Sequence, residues 1–161
     1  MGGVLFIDEA YELMDKGNSG GFGAEAIGTL VPLLENYKND FICIVAGYTK
    51  EMEDFLNQNP GLKSRFPTTI EFEDYSLDEL CQIFALTLSK KGFTATPAAV
   101  SKARSYIESC YQSRDFGNGR GVRNIVEKII HQANSRIESL IDAGAEITPE
   151  TLTTIIPEDI Y

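Results

Sequence analysis

Histidine occurs once in the 161 residues, at position 131, and cysteine only three times. His131 sits inside the long helical pattern Val122 to Ile141 with no nucleophile set beside it, so it reads as a packing or surface residue rather than a catalyst. Cys43 lies in an apolar, strand-like run, and Cys81 and Cys110 lie in helical patterns. None has a Cys-x-x-Cys or histidine partner at metal spacing, so all three are expected to be buried thiols rather than ligands or disulfide partners. Basic side chains are scarce too: 14 Lys and Arg against 24 Asp and Glu leave a formal charge of −10. That balance argues against a broad surface for nucleic acid or anionic membrane. No apolar run approaches the roughly 20 residues of a membrane span. Met1-Gly2-Gly3 followed directly by a strand is no signal peptide, so a cytoplasmic location is expected. The dipeptide Gly-Lys is absent as well. The glycine-rich stretch "KGNSGGFG", Lys16 to Gly23, is therefore a loop and not a phosphate cradle of the P-loop kind, which needs a lysine after its second glycine.

What is present is the pattern of a globular chain, 43% hydrophobic and long enough for one ordinary domain or two small ones. "VLFIDEAYEL", Val4 to Leu13, opens with four apolar residues that suit a strand buried on both faces of a parallel sheet. Asp8 and Glu9 follow at its carboxyl end. In open α/β sheets that end borders the ligand crevice, where two acids can hold a magnesium ion and polarise a water. They can equally begin the next helix, whose dipole favours acids in its first turn.

Apolar positions Ile27, Leu30, Val31 and Leu34 recur at helical spacing despite Pro32. "FICIVAGY", Phe41 to Tyr48, is a second buried strand run ending at Gly47. A short helix follows from Lys50 to Asn57, broken at Pro60-Gly61 and leading to a loop with Arg65. "TTIEFEDY" predicts a third strand with Ile70 and Phe72 facing inward. From Tyr75 on the pattern is helical. Ser76 and Glu79 form a capping box, Thr96-Pro97 and Thr148-Pro149 are N-cap and first-turn pairs, and Gly144 follows the long helix. Strands alternating with helices, then helices only, predict a domain boundary near residue 75.

"GGVLFIDEAYEL", "FGAEAIGTLVPLLEN", "AGYTKEM", "FLNQNPGLKSRF" and "FGNGRGVRNIVEK", in this order and spacing, resemble the AAA+ ATPases, more narrowly the family of stage V sporulation protein K and the red-type rubisco activase CbbX. The resemblance covers residues 2 to about 141. It implies an α/β fold: a partial P-loop NTPase parallel sheet of about three strands, in residues 1–74, followed by an all-α lid domain, in residues 75–161. "VLFIDEA" resembles the Walker B strand, implying that Asp8 supports Mg2+ on the phosphates of ATP and that Glu9 orients the attacking water. "IVAGY" falls where the family places sensor 1, for which Tyr48 and Thr49 are the polar candidates. "LKSRF" resembles the arginine-finger loop, implying that Arg65 projects into the site of a neighbouring subunit. "GNGRGVRN" resembles the sensor 2 motif, with Arg120 matching the arginine that contacts nucleotide in cis and Arg123 one turn on.

Arginines at a helix start oppose the dipole, so an anion is expected beside them, either phosphate or a carboxylate such as Asp115. The Walker A loop, the strands around it and the pore loop that precede Walker B in this family are not found, so the chain looks like the C-terminal part of an AAA+ module. Two functions follow from the resemblance. One is a portion of a hexameric ring, built with other AAA+ subunits, that spends ATP to remodel a protein client, the portion itself being inactive. The other is a non-hydrolysing interaction module that assembles with full-length subunits.

Overall fold

The computed structural model describes residues 2–14, 22–113 and 116–161. The expected loop over Lys16 to Gly23 lies outside them as far as Gly21, and its last two residues, Phe22 and Gly23, are helical instead; the carboxylate of Asp115 lies outside them too. The chain divides into two compact units, Met1–Phe72 and Glu73–Tyr161. Among the described residues no helix is long and apolar enough to cross a membrane.

In the first unit β1 (Gly3–Ile7) and β2 (Phe41–Val45) pair in parallel, with Gly3 opposite Phe41 and Ile7 opposite Val45. Parallel partners need a crossover, and α1 (Phe22–Asn36), with Pro32 inside it, lies between them in sequence. α2 (Thr49–Gln58) then leads into α3 (Pro60–Lys63). Pro60 does not break the chain into a loop, as the sequence predicts; it starts a helical turn, for which its fixed φ is already set.

One face of the strand pair carries Ile7, Phe41, Cys43 and Val45 onto a core formed by Tyr11, Ile27, Leu34, Phe55 and Leu62. The strands are not buried on both faces. Val4, Phe6, Ile42 and Ile44, which lie opposite one another, are 66%, 58%, 63% and 44% exposed, because a single helical layer covers only one side of a sheet. The expected third strand is absent as well. Residues 66–76 form neither helix nor strand, and Ile70 and Phe72 point outward. Alternating hydrophobicity supplies a strand's pattern but not its partner: among the described residues β1 and β2 pair only with each other.

The second unit follows its local signals closely. α4 (Leu77–Lys90) is capped by Ser76, whose hydroxyl accepts the Glu79 N–H at 3.3 Å, while the Glu79 carboxylate accepts the Ser76 N–H at 2.8 Å. β3 (Thr94–Ala95) precedes α5 (Pro97–Tyr111), whose N-cap Thr96 accepts the Ala99 N–H at 3.2 Å. α6 (Asn118–Asp142) is the long amphipathic helix, with Gly144 beyond it at φ 74°. α7 (Pro149–Thr153) runs into β4 (Thr154–Ile155), which pairs in parallel with β3.

Leu80, Phe84, Ile107, Val126, Ile129 and Ile155 are central to the core. The tail is fixed by the buried Asp159, which accepts two hydrogen bonds from Arg136 at 2.8 and 3.0 Å and one from the Ile156 N–H at 3.0 Å. The three cysteines are free and half-buried rather than buried, and His131 is exposed.

Candidate functional site

The parallel register brings the carboxyl ends of β1 and β2 side by side, and the first four candidate residues collect there. The chain leaves β1 through Asp8 and turns sharply at Glu9, which adopts the left-handed conformation with φ 48° and ψ 42°. For a glutamate this is a strained backbone, of order 1–3 kcal/mol. Local bonds hold it: the Glu9 N–H donates to Asp8 Oδ1 at 3.0 Å, and the Ala10 N–H donates to the Ala46 carbonyl at 3.0 Å, locking the turn to the end of β2. Glu9 does precede a 3₁₀ turn, Ala10–Leu13, but its side chain makes no capping hydrogen bond. Both carboxylates face solvent, so they are free of the structural duty that the helix-start alternative would give them.

Tyr48 and Thr49 stand on the neighbouring strand end, Tyr48 as the N-cap residue of α2 and Thr49 as its first residue. The Tyr48 ring lies 6.3 Å, centroid to centroid, from that of Tyr11. Gly47 makes this possible, since a Cβ there would fall 2.7 Å from the Tyr11 ring and 2.9 Å from Met52 Sδ. Desolvation, reinforced by the negative charge of Glu9, pushes the Tyr11 phenol up from its ordinary range.

Arg65 is not at these strand ends. Its Nη1 donates to the Gly61 carbonyl at 2.8 Å, Nη2 lies 3.3 Å from Glu35 Oε2 at the end of α1, and Nε is buried without a partner. The Glu35 carboxyl is held below the usual carboxylate range, first by its hydrogen bond from Lys38 and then by the Lys38 and Arg65 charges.

Arg120 and Arg123 belong to the second unit, on the opening turns of α6. Gly117 at φ 70° and Asn118 at φ 51° set the turn, and Gly121 packs so closely on Phe116 that a Cβ would lie 2.0 Å from the Phe116 carbonyl oxygen. The first turn of α6 holds no acidic residue, and both arginines are exposed. Among the described residues neither guanidinium has a hydrogen bond or an ion pair, and both lie near the positive end of a helix dipole, where an anion is favoured.

As a ligand set, Asp8 offers a hard oxygen suited to magnesium, which keeps several waters and takes only one or two protein carboxylates. No cluster of three or more potential metal ligands occurs among the described residues. The residues present fit the metal and water side of a nucleotide site; a glycine–lysine cradle for its phosphates is not in this sequence. Sequence reasoning missed Tyr11, the Glu35 partner of Arg65, and Asn118. Only the last had a local signal, an asparagine between two glycines, where left-handed backbone is easiest.

Residues 2–74 match the profile of the ATPase family associated with various cellular activities (AAA), and residues 76–161 match that of the AAA lid domain. Over 99% of its length the chain is 40% identical to stage V sporulation protein K of Bacillus subtilis, covering 49% of that protein. It is 38% identical to protein CbbX of Cereibacter sphaeroides, covering 51%, and 39% identical to the chloroplastic ribulose bisphosphate carboxylase/oxygenase activase of Cyanidioschyzon merolae, covering 54%, again over 99% of its own length. The chain thus spans about half the length of the curated relatives it matches.

Proposed function

Because the chain belongs to the AAA ATPase family, we propose that it supplies the Walker B, arginine-finger and lid portions of a cytoplasmic ATPase that remodels a protein client. In this reading residues 1–74 form the C-terminal part of the large ATPase subdomain and residues 75–161 the lid. Asp8 holds the magnesium ion, and Glu9 orients the attacking water. Tyr48 or Thr49 senses the γ-phosphate, and Arg120, backed by Arg123, meets the nucleotide from the lid. Arg65 acts on the site of a neighbouring subunit in a hexameric ring. Bound ATP with Mg2+ would supply the phosphoryl group and the charge these residues face. Phosphoryl transfer needs positioned charge more than covalent help, and Asp8, Glu9, Arg120 and Arg123 offer exposed charges for it.

The observation that carries the reading is the Asp8–Glu9 turn: two carboxylates without capping duty, on a strained backbone, beside the polar end of the adjacent parallel strand. The missing glycine–lysine cradle favours a second reading for the chain by itself, an interaction module that joins full-length subunits without hydrolysing ATP.

The two readings part in one experiment. The isolated chain should show no steady ATPase activity above a buffer blank. Joining the Walker A half of the Bacillus subtilis relative upstream of Gly2 should restore turnover, which Glu9→Gln should abolish while leaving nucleotide binding nearly intact. A joined protein that binds ATP but never turns it over would leave only the interaction module. Turnover indifferent to Glu9→Gln would remove Glu9 from its role.

A further inference from the structure

The first residues of the second unit, directly after the division at Phe72 and Glu73, are tied to the arginine-bearing start of α6 by one side chain. Asn118 Oδ1 accepts the Tyr75 N–H at 3.3 Å, and Asn118 Nδ2 donates to Asp74 Oδ1 at 2.5 Å. The Tyr75 ring lies close by, 3.7 Å from where a Cβ on the buried Gly119 would sit.

The residue type is closely specified. The position is left-handed, with φ 51°, which asparagine tolerates better than most side chains. An acceptor must face Tyr75 while a donor faces Asp74, and a short side-chain amide offers both at once. Aspartate would set two carboxylates together, and glycine would keep the backbone but lose both bonds. Arg120 is two residues further on, its N–H donating to the Gly117 carbonyl at 3.0 Å in the same turn.

We propose that Asn118 is a positioning residue that makes the segment Asp74–Tyr75 and the turn carrying Arg120 a single rigid element. A displacement of Arg120 would then be carried into the stretch of chain that joins the two units, and a displacement of that stretch into Arg120. The tether goes beyond the functional reading above; only its use, in letting nucleotide contact at Arg120 set the path of the chain between units, rests on that reading.

Amide hydrogen exchange on the full chain tests the tether without nucleotide, so its failure is separate from any failure of the nucleotide assignment. Asp74→Ala removes a side chain far along the sequence from α6. It should nevertheless speed exchange at the Arg120 and Gly121 amides about fivefold, the effect of losing one ordinary hydrogen bond, and leave Val126 and Ile129 unchanged. Asn118→Gly should speed exchange at Tyr75 by a similar factor, again with Val126 and Ile129 as internal controls. Asn118→Asp should loosen both places, and adding Asp74→Asn should restore them, since the amide at position 74 then donates to the carboxylate at 118. Arg120 and Gly121 exchange that ignores Asp74→Ala, or a double variant no better protected than Asn118→Asp alone, would overturn the proposal.

Discussion

Gly121 and Asp159 bear on the lid in opposite ways, one by having no side chain and the other by burying a charged one. A methyl group at Gly121 would meet the Phe116 carbonyl oxygen at 2.0 Å and its ring at 2.8 Å. The obstacle includes backbone, so it cannot swing aside, and Gly121→Ala should cost roughly 1–3 kcal/mol, as overpacking in close-packed interiors does. Equilibrium urea unfolding followed by far-ultraviolet circular dichroism would measure it; an unchanged midpoint would mean that α6 starts differently. Asp159 is buried, and its carboxylate takes both the Arg136 fork and the Ile156 N–H. The same pairing holds the Arg136 guanidinium above its ordinary range. Asp159→Ala leaves that guanidinium, one-fifth exposed at its side chain, without its anion, for which about 3 kcal/mol is expected. A loss under about 1 kcal/mol in the same assay would show water replacing the carboxylate at little cost.

At the scale of elements, what was legible in the sequence was what is local. Ser76 and Glu79 cap α4 as their spacing predicts, because donor and acceptor lie within one turn. Ser76→Ala should cost about 1 kcal/mol. The Glu79 carboxyl lies below its usual range, first through the Ser76 N–H and then through the Ser76 hydroxyl. A depressed carboxyl contributes stability above its unfolded pKa and loses it as pH falls through the folded one. The melting-temperature gap between wild type and Glu79→Gln should accordingly be widest near neutrality and close below pH about 4, the ordinary glutamate range; a gap constant with pH would mean the carboxylate is not the species bonded.

The Asp8–Glu9 pair and the Arg120 turn were legible for the same reason, since strand end and helix start are written in adjacent residues. The strand expected at Ile70 and Phe72 was not, because its pattern is local but its partner is not. The burial of β1 on both faces failed likewise, as a second layer cannot be read from β1 itself. Arg136 with Asp159, Arg65 with Glu35 and Asn118 with Asp74 join positions 23, 30 and 44 residues apart, and no spacing rule reaches that far.

Taken whole, the molecule is two units of very different solidity. Among the described residues the second packs thirteen buried residues into one core drawn from α4, α5, α6 and the tail, whereas the first has six, under a sheet of two strands. An isolated strand pair is marginal in water, and burial is the main term offsetting chain entropy. In the first unit Val4, Phe6, Ile42 and Ile44 add little of that burial, being largely exposed, and each strand keeps an outer edge unpaired among the described residues. Such edges template association with other chains. The second unit needs none of this, because its helices carry their caps and its tail is anchored by Arg136 and Lys102, whose ammonium meets the Pro157 carbonyl at 3.0 Å. Hydrogen exchange should therefore resolve two stability levels in one chain, with Leu80, Val126 and Ile129 amides exchanging only on unfolding of the second unit and Leu5 and Cys43 amides orders of magnitude sooner. Raising protein concentration should slow the β1 and β2 amides alone, as edges pair between chains. Strand amides protected as strongly as those of α6 in a sample that sedimentation shows to be monomeric would mean that the strand pair draws stability from something other than burial or association.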